Sequence, residues 1–262
     1  MIFLTLKSCA ICDIGYVREE NQDNLYVDGT IRIPAGSKAT FRHTIISENR
    51  GLYAVADGMG GGAHGGLASF LTVKEITEKE FYFYQDYDGM KRFVLYANEM
   101  ICDLMKKNQG RYIGSTFAGL CIDKNIATIT NIGDSRIYLL RETNLLQVSL
   151  DHTAIRRMVE MGIISEEVAR NHPDRNKLTQ HLGIFPSEMI IEPYSTQINL
   201  KQNDIFLLCS DGLTDMLSNE EIQHILMTDE SLEQKANSLF MESLNNGGKD
   251  NITILLVYVI VA

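Results

Sequence analysis

Five aspartates of this 262-residue chain stand next to apolar runs that predict β-strands. Asp57 and Asp211 each end such a run and precede a glycine, and Asp134 follows a third run. Asp250 comes shortly before the last run, and Asp23 follows the first run after a short loop. Asp-Gly is a common turn signal, so each residue alone predicts only a turn. Because neighbouring strand ends meet at one rim of a sheet, the five carboxylates together predict a shared site.

A shared site of four or five carboxylates requires cations. Two carboxylates about 4–5 Å apart repel by roughly 3–4 kcal/mol at an effective dielectric constant near 20. Ligation by oxygen alone favours Mg²⁺ or Mn²⁺ over Zn²⁺, and no set of Cys and His residues has suitable spacing for zinc. Two such ions about 3.5–4 Å apart can promote hydrolysis of a phosphate ester. Arg18, five residues before Asp23, is either a solvated surface arginine or a guanidinium that grips two phosphate oxygens.

The elements that must position these residues are short strands and a few amphipathic helices. Helical spacing appears around 93–104 and 232–244, and Ser218 with Glu221 forms a capping box before another helix. Segment 151–183 predicts a helix through 155–163, a second short helix from Ser165, and a polar excursion from the core. The predicted strands occur mainly as adjacent pairs, which favours antiparallel sheets with helices packed on them. They are residues 4–12, 52–56, 116–122, 126–131, 137–140, 205–210 and 252–260.

Composition narrows the class of protein. With 45% hydrophobic and 22% charged residues, the chain can bury a substantial core as one domain, residues 1–262. A net charge of −10 disfavours binding to nucleic acid or to anionic lipid. The five scattered cysteines fit reduced thiols in a cytoplasm, and Cys9 and Cys12 should face opposite sides of a strand. No signal peptide or membrane-spanning segment is predicted.

The ordered motifs of the chain resemble those of the PPM family, the type 2C metal-dependent protein serine/threonine phosphatases, and are most similar to its compact bacterial branch. Each motif alone is weak, whereas the ordered set over nearly the whole chain is specific. The motifs are GYVREENQD (15–23), VADGMGG (55–61), GST (114–116), NIGDSR (131–136), LDHT (150–153), HPDRNKLTQHLG (172–183), LLCSDGLTDML (207–217) and GGKDNITILLV (247–257).

The resemblance implies an α+β fold, a four-layer α-β-β-α sandwich with two central antiparallel sheets flanked by helices. It also implies a binuclear Mn²⁺ or Mg²⁺ centre with a possible third ion. Asp57 would bridge the two metals, and the Gly58 carbonyl would complete the shell of one. Asp211 and Asp250 would ligate the other, and Asp23 would act nearby, directly or through bound water.

Four further roles follow from the same resemblance. Asp134, with Asp211, would form the third metal position, and Asp215 would orient metal-bound waters. Arg18 would bind the substrate phosphate. Segment 151–183 would be the flap, which contacts protein substrates.

The function implied is hydrolysis of phosphoserine and phosphothreonine on proteins by a hydroxide that the two metals activate. Arg18, Asp57 and Asp211 would be the catalytic residues. The expected partners are phosphoproteins, the substrates of a serine/threonine kinase, and we expect a cytoplasmic monomer. Two alternatives remain: a non-catalytic domain that keeps the fold, and a phosphatase restricted to one regulatory protein.

The chain departs from the family pattern at two places. Animal-type members carry a histidine where Met59 stands, so a metal-bound water would have to protonate the leaving group, and His64 reads as a loop histidine. Segment 29–46 is longer than in compact relatives, and 34–37 predicts a hairpin tip. Its basic residues could meet an acidic partner, although a solvated hairpin face is the preferred interpretation. They are Arg32, Lys38, Arg42 and His43.

Overall fold

The computed structural model describes residues 4–32, 40–60, 64–107, 112–165, 168–169 and 172–261. Within these ranges the chain forms thirteen strands and six helices of four residues or more. The strands are β1 (Leu4–Asp13), β2 (Asp23–Val27), β3 (Thr30–Ile31), β4 (Phe41–Glu48), β5 (Arg50–Gly60), β6 (Ile113–Ser115), β7 (Phe117–Asp123), β8 (Ile126–Ile132), β9 (Arg136–Arg141), β10 (Asn144–Gln147), β11 (Tyr194–Asn199), β12 (Ile205–Cys209) and β13 (Ile252–Val261). The helices are α1 (His64–Phe83), α2 (Gly89–Lys107), α3 (Ala154–Glu160), α4 (Asp211–Thr214), α5 (Asn219–Leu226) and α6 (Leu232–Asn245).

The strands form two sheets in which every described pair is antiparallel. One sheet has the order β10-β9-β12-β13-β1-β4, and the other has the order β11-β8-β7-β5-β2-β3 with β6 added beside β5. A layer of buried, mainly aliphatic and aromatic side chains lies between the sheets. Helices α1 and α2 cover the outer face of the second sheet, and α4, α5 and α6 cover the first. The predicted α-β-β-α sandwich is therefore confirmed.

Strand alternation explains how both faces of each sheet are buried. On β5, Val55 enters the layer between the sheets, while Ala54 and Ala56 lie under the helices. On β1, Cys12 lies between the sheets and Cys9 lies under α6, so the prediction of opposite faces is confirmed. All five cysteines are buried free thiols. No described helix is long and apolar enough to cross a membrane.

The interpretation of segment 29–46 as a hairpin is wrong. Strand β3 pairs with β2 in one sheet, whereas β4 pairs with β1 in the other, so the segment crosses between sheets. Arg32 is buried and donates to the Asp23 carbonyl (2.7 Å), which removes it from the predicted basic surface. Arg42 is exposed and packs over the Phe240 ring. The predicted tip 34–37 and Lys38 lie outside the described residues.

Among the described residues of segment 151–183, the first helix is shorter than the sequence predicted. Helix α3 begins after Thr153, whose side chain accepts from the Arg156 amide, and ends at Glu160, short of the predicted limit at 163. Ser165 accepts from the Val168 amide (3.3 Å) at the start of the second predicted helix, of which 166–167 lie outside the described residues.

The capping box of α5 allows a stability prediction. Ser218 Oγ accepts from the Glu221 amide (3.2 Å), and Glu221 Oε2 accepts from the Ser218 amide (2.7 Å). Replacing Ser218 with alanine should lower the free energy of unfolding by about 1 kcal/mol. The expected fall in Tm is about 2–4 °C, measurable by calorimetry. Ser187→Ala, at an exposed turn position, is the control and should leave Tm unchanged; an equal fall there would contradict the capping interpretation.

Candidate metal centre

Strand ends bring the predicted aspartates to one rim of the sandwich. The register of β2 on β5 places Asp23 opposite Asp57. Asp211 follows β12 and Asp250 precedes its partner β13, while Asp134 lies in the turn between β8 and β9. A cavity of about 500 Å³ opens at this rim. Its lining includes Arg18, Asp57, Gly58, Asp134, Asp211 and Asp250.

Asp23 lies beneath the cavity and is completely buried. Its Oδ2 accepts from Ser210 Oγ (2.6 Å) and Thr253 Oγ1 (2.7 Å), whereas Oδ1 meets no donor among the described residues. Burial raises the pKa of the Asp23 carboxyl to about 6, even though these hydrogen bonds oppose the rise. One carboxylate oxygen is therefore left without compensation at the base of the site.

The carboxylates of the cavity wall destabilise one another when all are ionised. Burial, followed by repulsion from Asp23 and Asp211, raises the pKa of Asp57 well above its usual value. Burial, followed by repulsion from Asp134 and Asp250, does the same to Asp211, whose Oδ1 is buried without a hydrogen-bond partner in the described part of the chain. Burial raises the pKa of Asp134 to about 7. Such a cluster needs protons or cations.

The donor set fits divalent cations that keep part of their water. No three His, Cys, Asp or Glu side chains of the described residues are arranged to hold one ion by themselves. Mg²⁺ usually retains several waters and binds through one or two carboxylates, and Mn²⁺ accepts the same oxygen donors. The carboxylate oxygens without donors on Asp23 and Asp211 have the chemistry that such ions require.

Gly58 packs where no side chain fits. A Cβ at this position would lie 2.1 Å from the Gly65 carbonyl oxygen, and the Gly58 amide donates to the Gln22 carbonyl (3.1 Å). The adjacent Asp57 is fixed from the opposite side, because its amide donates to Thr116 Oγ1 (2.9 Å) and its carbonyl accepts from the Thr116 amide (2.8 Å). The backbone at 57–58 is therefore rigidly placed.

Arg18 lies beside the carboxylates at the mouth of the cavity. Its Nη2 is 2.5 Å from Asp250 Oδ2, and its side chain is 55% exposed. The hydrogen bond to Asp250 raises the already high pKa of the guanidinium. The structure thus brings this cation to the predicted site, with part of its hydrogen-bonding edge open to a ligand.

Asp215 faces a second, adjoining cavity of about 670 Å³. Its carboxylate accepts from Arg175 (2.9 and 3.3 Å) and from Asn176 Nδ2 (2.9 Å), both in segment 151–183. The two cavities share Asp134, Asn176 and Asp211. Sequence reasoning missed Arg175 and Asn176 as neighbours of the site, although both belong to the motif HPDRNKLTQHLG.

Met59 lines the cavity, and none of the described residues in that lining is a histidine. His64 begins α1, and its side chain lies outside the described part of the structure.

Comparison with known proteins places this chain in one class of protein. The profile of the protein phosphatase 2C family matches residues 39–250. The chain belongs to this family. Among curated relatives, the serine/threonine phosphatase stp of Listeria welshimeri is 34% identical over 259 residues, covering 94% of this chain and 92% of the relative. The protein phosphatase PhpP of Streptococcus pneumoniae is 32% identical over 257 residues, covering 94% and 95%.

Solved structures agree with this family assignment. The serine/threonine phosphatase PstP/Ppp of Mycobacterium tuberculosis superposes with a TM-score of 0.79 at 30% identity, over 97% of this chain and 98% of that one. A structure of the PstP catalytic domain contains two manganese ions and has a TM-score of 0.79 at 28% identity, over 98% and 99% of the chains.

Proposed function

We propose that this chain is a protein serine/threonine phosphatase that hydrolyses phosphoserine and phosphothreonine at a binuclear Mn²⁺ or Mg²⁺ centre. The observation that carries the proposal is the convergence of four aspartates and Arg18 on one cavity, in which burial and repulsion from neighbouring carboxylates raise the pKa values of Asp57 and Asp211. The relatives named as serine/threonine phosphatases, and the two manganese ions of the PstP catalytic domain, support it.

Each aspartate has a proposed role at this centre. Asp57 and the Gly58 carbonyl would help to hold the pair of ions, with Asp57 shared between them, and Asp211 and Asp250 would be the ligands of the second ion. Asp23 acts from below, held in orientation by its hydrogen bonds to Ser210 and Thr253.

A third ion would lie between Asp134 and Asp211. Asp215 would orient metal-bound waters once it releases its hydrogen bonds to Arg175. Segment 151–183 forms a flap within the single domain 1–262 and contacts protein substrates. We propose a monomer that acts in the cytoplasm on the targets of a serine/threonine kinase; five buried, unpaired cysteines suit that compartment.

The chain's own residues position the substrate for an in-line displacement. Bound divalent ions would supply a water of lowered pKa and charge to balance the phosphate. Arg18 can exchange its bond to Asp250 for two phosphate oxygens, because its planar guanidinium matches a phosphate edge. The rigid backbone at 57–58 and the buried Asp23 keep the carboxylates in place, so that little reorganisation accompanies the reaction.

The proposal is tested by phosphate release from phosphoserine and phosphothreonine peptides with Mn²⁺, against the same protein with EDTA. We expect turnover only with the metal. A folded protein that binds such a peptide and Mn²⁺ but releases no phosphate would contradict the proposal and indicate the non-catalytic alternative.

Replacing Arg18 with alanine should lower kcat/KM by about 10²-fold, because the phosphate loses its oriented cationic partner. Arg18→Lys keeps the charge but not the two-pronged geometry and should recover only part of the loss. Arg92→Ala is the matched control, since Arg92 is an exposed arginine of α2 that pairs with Asp86 and lies outside the cavity. A kcat/KM within twofold of wild type for Arg18→Ala would exclude the phosphate role.

A further inference from the structure

The arginine of the phosphate cavity belongs to an exposed loop, residues 14–22, that connects β1 to β2. Five consecutive residues, 16–20, are exposed, including Arg18 itself. An arginine side chain carries about 2 kcal/mol of rotamer entropy, and a mobile backbone would add to the cost of ordering it around phosphate. Precise placement of Arg18 therefore requires contacts from buried groups that hold the backbone of the loop in place.

A single buried amide, Asn251, hydrogen-bonds to both ends of this loop. Asn251 is 5% exposed and follows Asp250 directly. Its Nδ2 donates to the Ile14 carbonyl (2.9 Å) and to the Glu20 carbonyl (3.0 Å). Its Oδ1 accepts from the Gln22 amide (2.8 Å), 229 residues away in the chain. Three of the four hydrogen bonds available to an asparagine side chain are thus used on one loop.

The backbone next to Asn251 holds the first half of the same loop. The Tyr16 amide donates to the Gly248 carbonyl (2.8 Å). Gly15 has φ +74°, and a Cβ there would lie 2.3 Å from the Asp250 carbonyl oxygen. The loop therefore lies in backbone contact with segment 248–251. The same contacts fix the position of the loop relative to Asp250.

We propose that Asn251 is a positioning residue: its buried amide orders loop 14–22 and so places Arg18 beside Asp250, ready to receive the phosphate. The functional half of this inference rests on the phosphate role proposed above for Arg18. The phosphate interaction depends on this geometry, since a displacement of about 1 Å can cost about 10²-fold in rate. Asn251 itself need not touch the substrate.

Hydrogen exchange tests the ordering of the loop directly. In Asn251→Ala, and more mildly in Asn251→Ser, the hydrogen-bonded amides of the loop, those of Gly15, Tyr16 and Gln22, should exchange at least about tenfold faster, because the open state of the loop becomes about 1.4 kcal/mol more accessible. The matched control is Asn98→Ala, which removes a buried amide that holds the backbone of Gly183 and Ile184 by three hydrogen bonds. It should leave 14–22 unchanged. Unchanged exchange over 14–22 in both Asn251 variants, or acceleration spread evenly over the protein, would overturn the proposal.

A double-mutant cycle tests the functional half, with phosphopeptide turnover and inhibition by inorganic phosphate as readouts. Asn251→Ala should lower kcat/KM at least about tenfold and weaken phosphate inhibition, but in the Arg18→Ala background the same change should cost less than about twofold. A full Asn251 penalty in that background would show that Asn251 acts elsewhere and overturn the functional half. If Arg18→Ala alone kept wild-type kcat/KM, the phosphate role of Arg18 and the functional half of the inference would both be wrong. Faster exchange over 14–22 in the Asn251 variants would still support the ordering of the loop.

Discussion

Replacing Asp211 with asparagine should reduce Mn²⁺-dependent turnover by at least about 10²–10³-fold, the loss typical for removal of one preorganised electrostatic group. The amide has nearly the same shape but lacks the negative charge that attracts a cation. The same variant should be more stable than wild type without metal, since burial and repulsion from Asp134 and Asp250 penalise the ionised Asp211. Turnover of phosphopeptide and Tm in EDTA are the two measurements.

Thermal shift with Mn²⁺ separates loss of metal binding from loss of folding. At a metal concentration 100 times Kd, the wild type should gain about 2.7 kcal/mol, and Asp211→Asn should gain much less. Asp103→Asn serves as control, because Asp103 is an exposed residue of α2 paired with Lys106. Wild-type turnover in purified Asp211→Asn would remove this residue from the metal centre.

The metal-free protein should lose stability as the pH rises from 6.5 to 8.0. Burial and repulsion raise the pKa of Asp134 to about 7 and those of Asp57 and Asp211 well above their usual range. In this window the folded state binds protons that the unfolded chain has already released. The stability that comes from each carboxyl with a raised pKa is therefore lost as the pH rises through the pKa of its folded state. For each extra proton that the folded state holds across the whole window, the free energy of unfolding falls by about 2 kcal/mol. Tm should therefore fall by several degrees.

Histidines and cysteines with shifted pKa values do not contribute between pH 6.5 and 8.0. Burial lowers the pKa values of His152 and His181, whose effect is confined to pH below their ordinary value near 6.5. Buried cysteines have raised pKa values and act only near pH 9 and above. Melting curves in EDTA at four pH values measure the slope, which Asp211→Asn should flatten and saturating Mn²⁺ should offset. A metal-free Tm that is constant or rises across the window would contradict the predicted cluster.

Local sequence signals were enough to predict most of the sandwich and the acidic site. Apolar runs of strand length mark β1, β5, β7, β8, β9, β12 and β13 to within a few residues. The capping box at Ser218 and the apolar spacing of 93–104 and 232–244 mark α5, α2 and α6. The aspartates were found because Asp and Gly at the end of an apolar run are themselves local signals.

Elements with weak local signals were missed. Helix α1, although 20 residues long, was not predicted, and neither were β2, β4 and β11. Strand β4 alternates between exposed and inward residues at the edge of its sheet. Segment 29–46 was misread because a hairpin and a crossover between sheets differ in strand pairing, which turn residues alone do not encode.

The sequence by itself determined the kinds of residue at the site and the order in which they occur, since periodicity and turn chemistry act over a few residues. Only the tertiary structure decided which groups meet: Asp23 opposite Asp57 through the β2–β5 register, Asp215 turned toward Arg175, and Asn251 bonded to Gln22. These contacts join residues dozens to hundreds of positions apart. They depend on strand register and on the packing of two sheets, which arise only when the whole core is assembled.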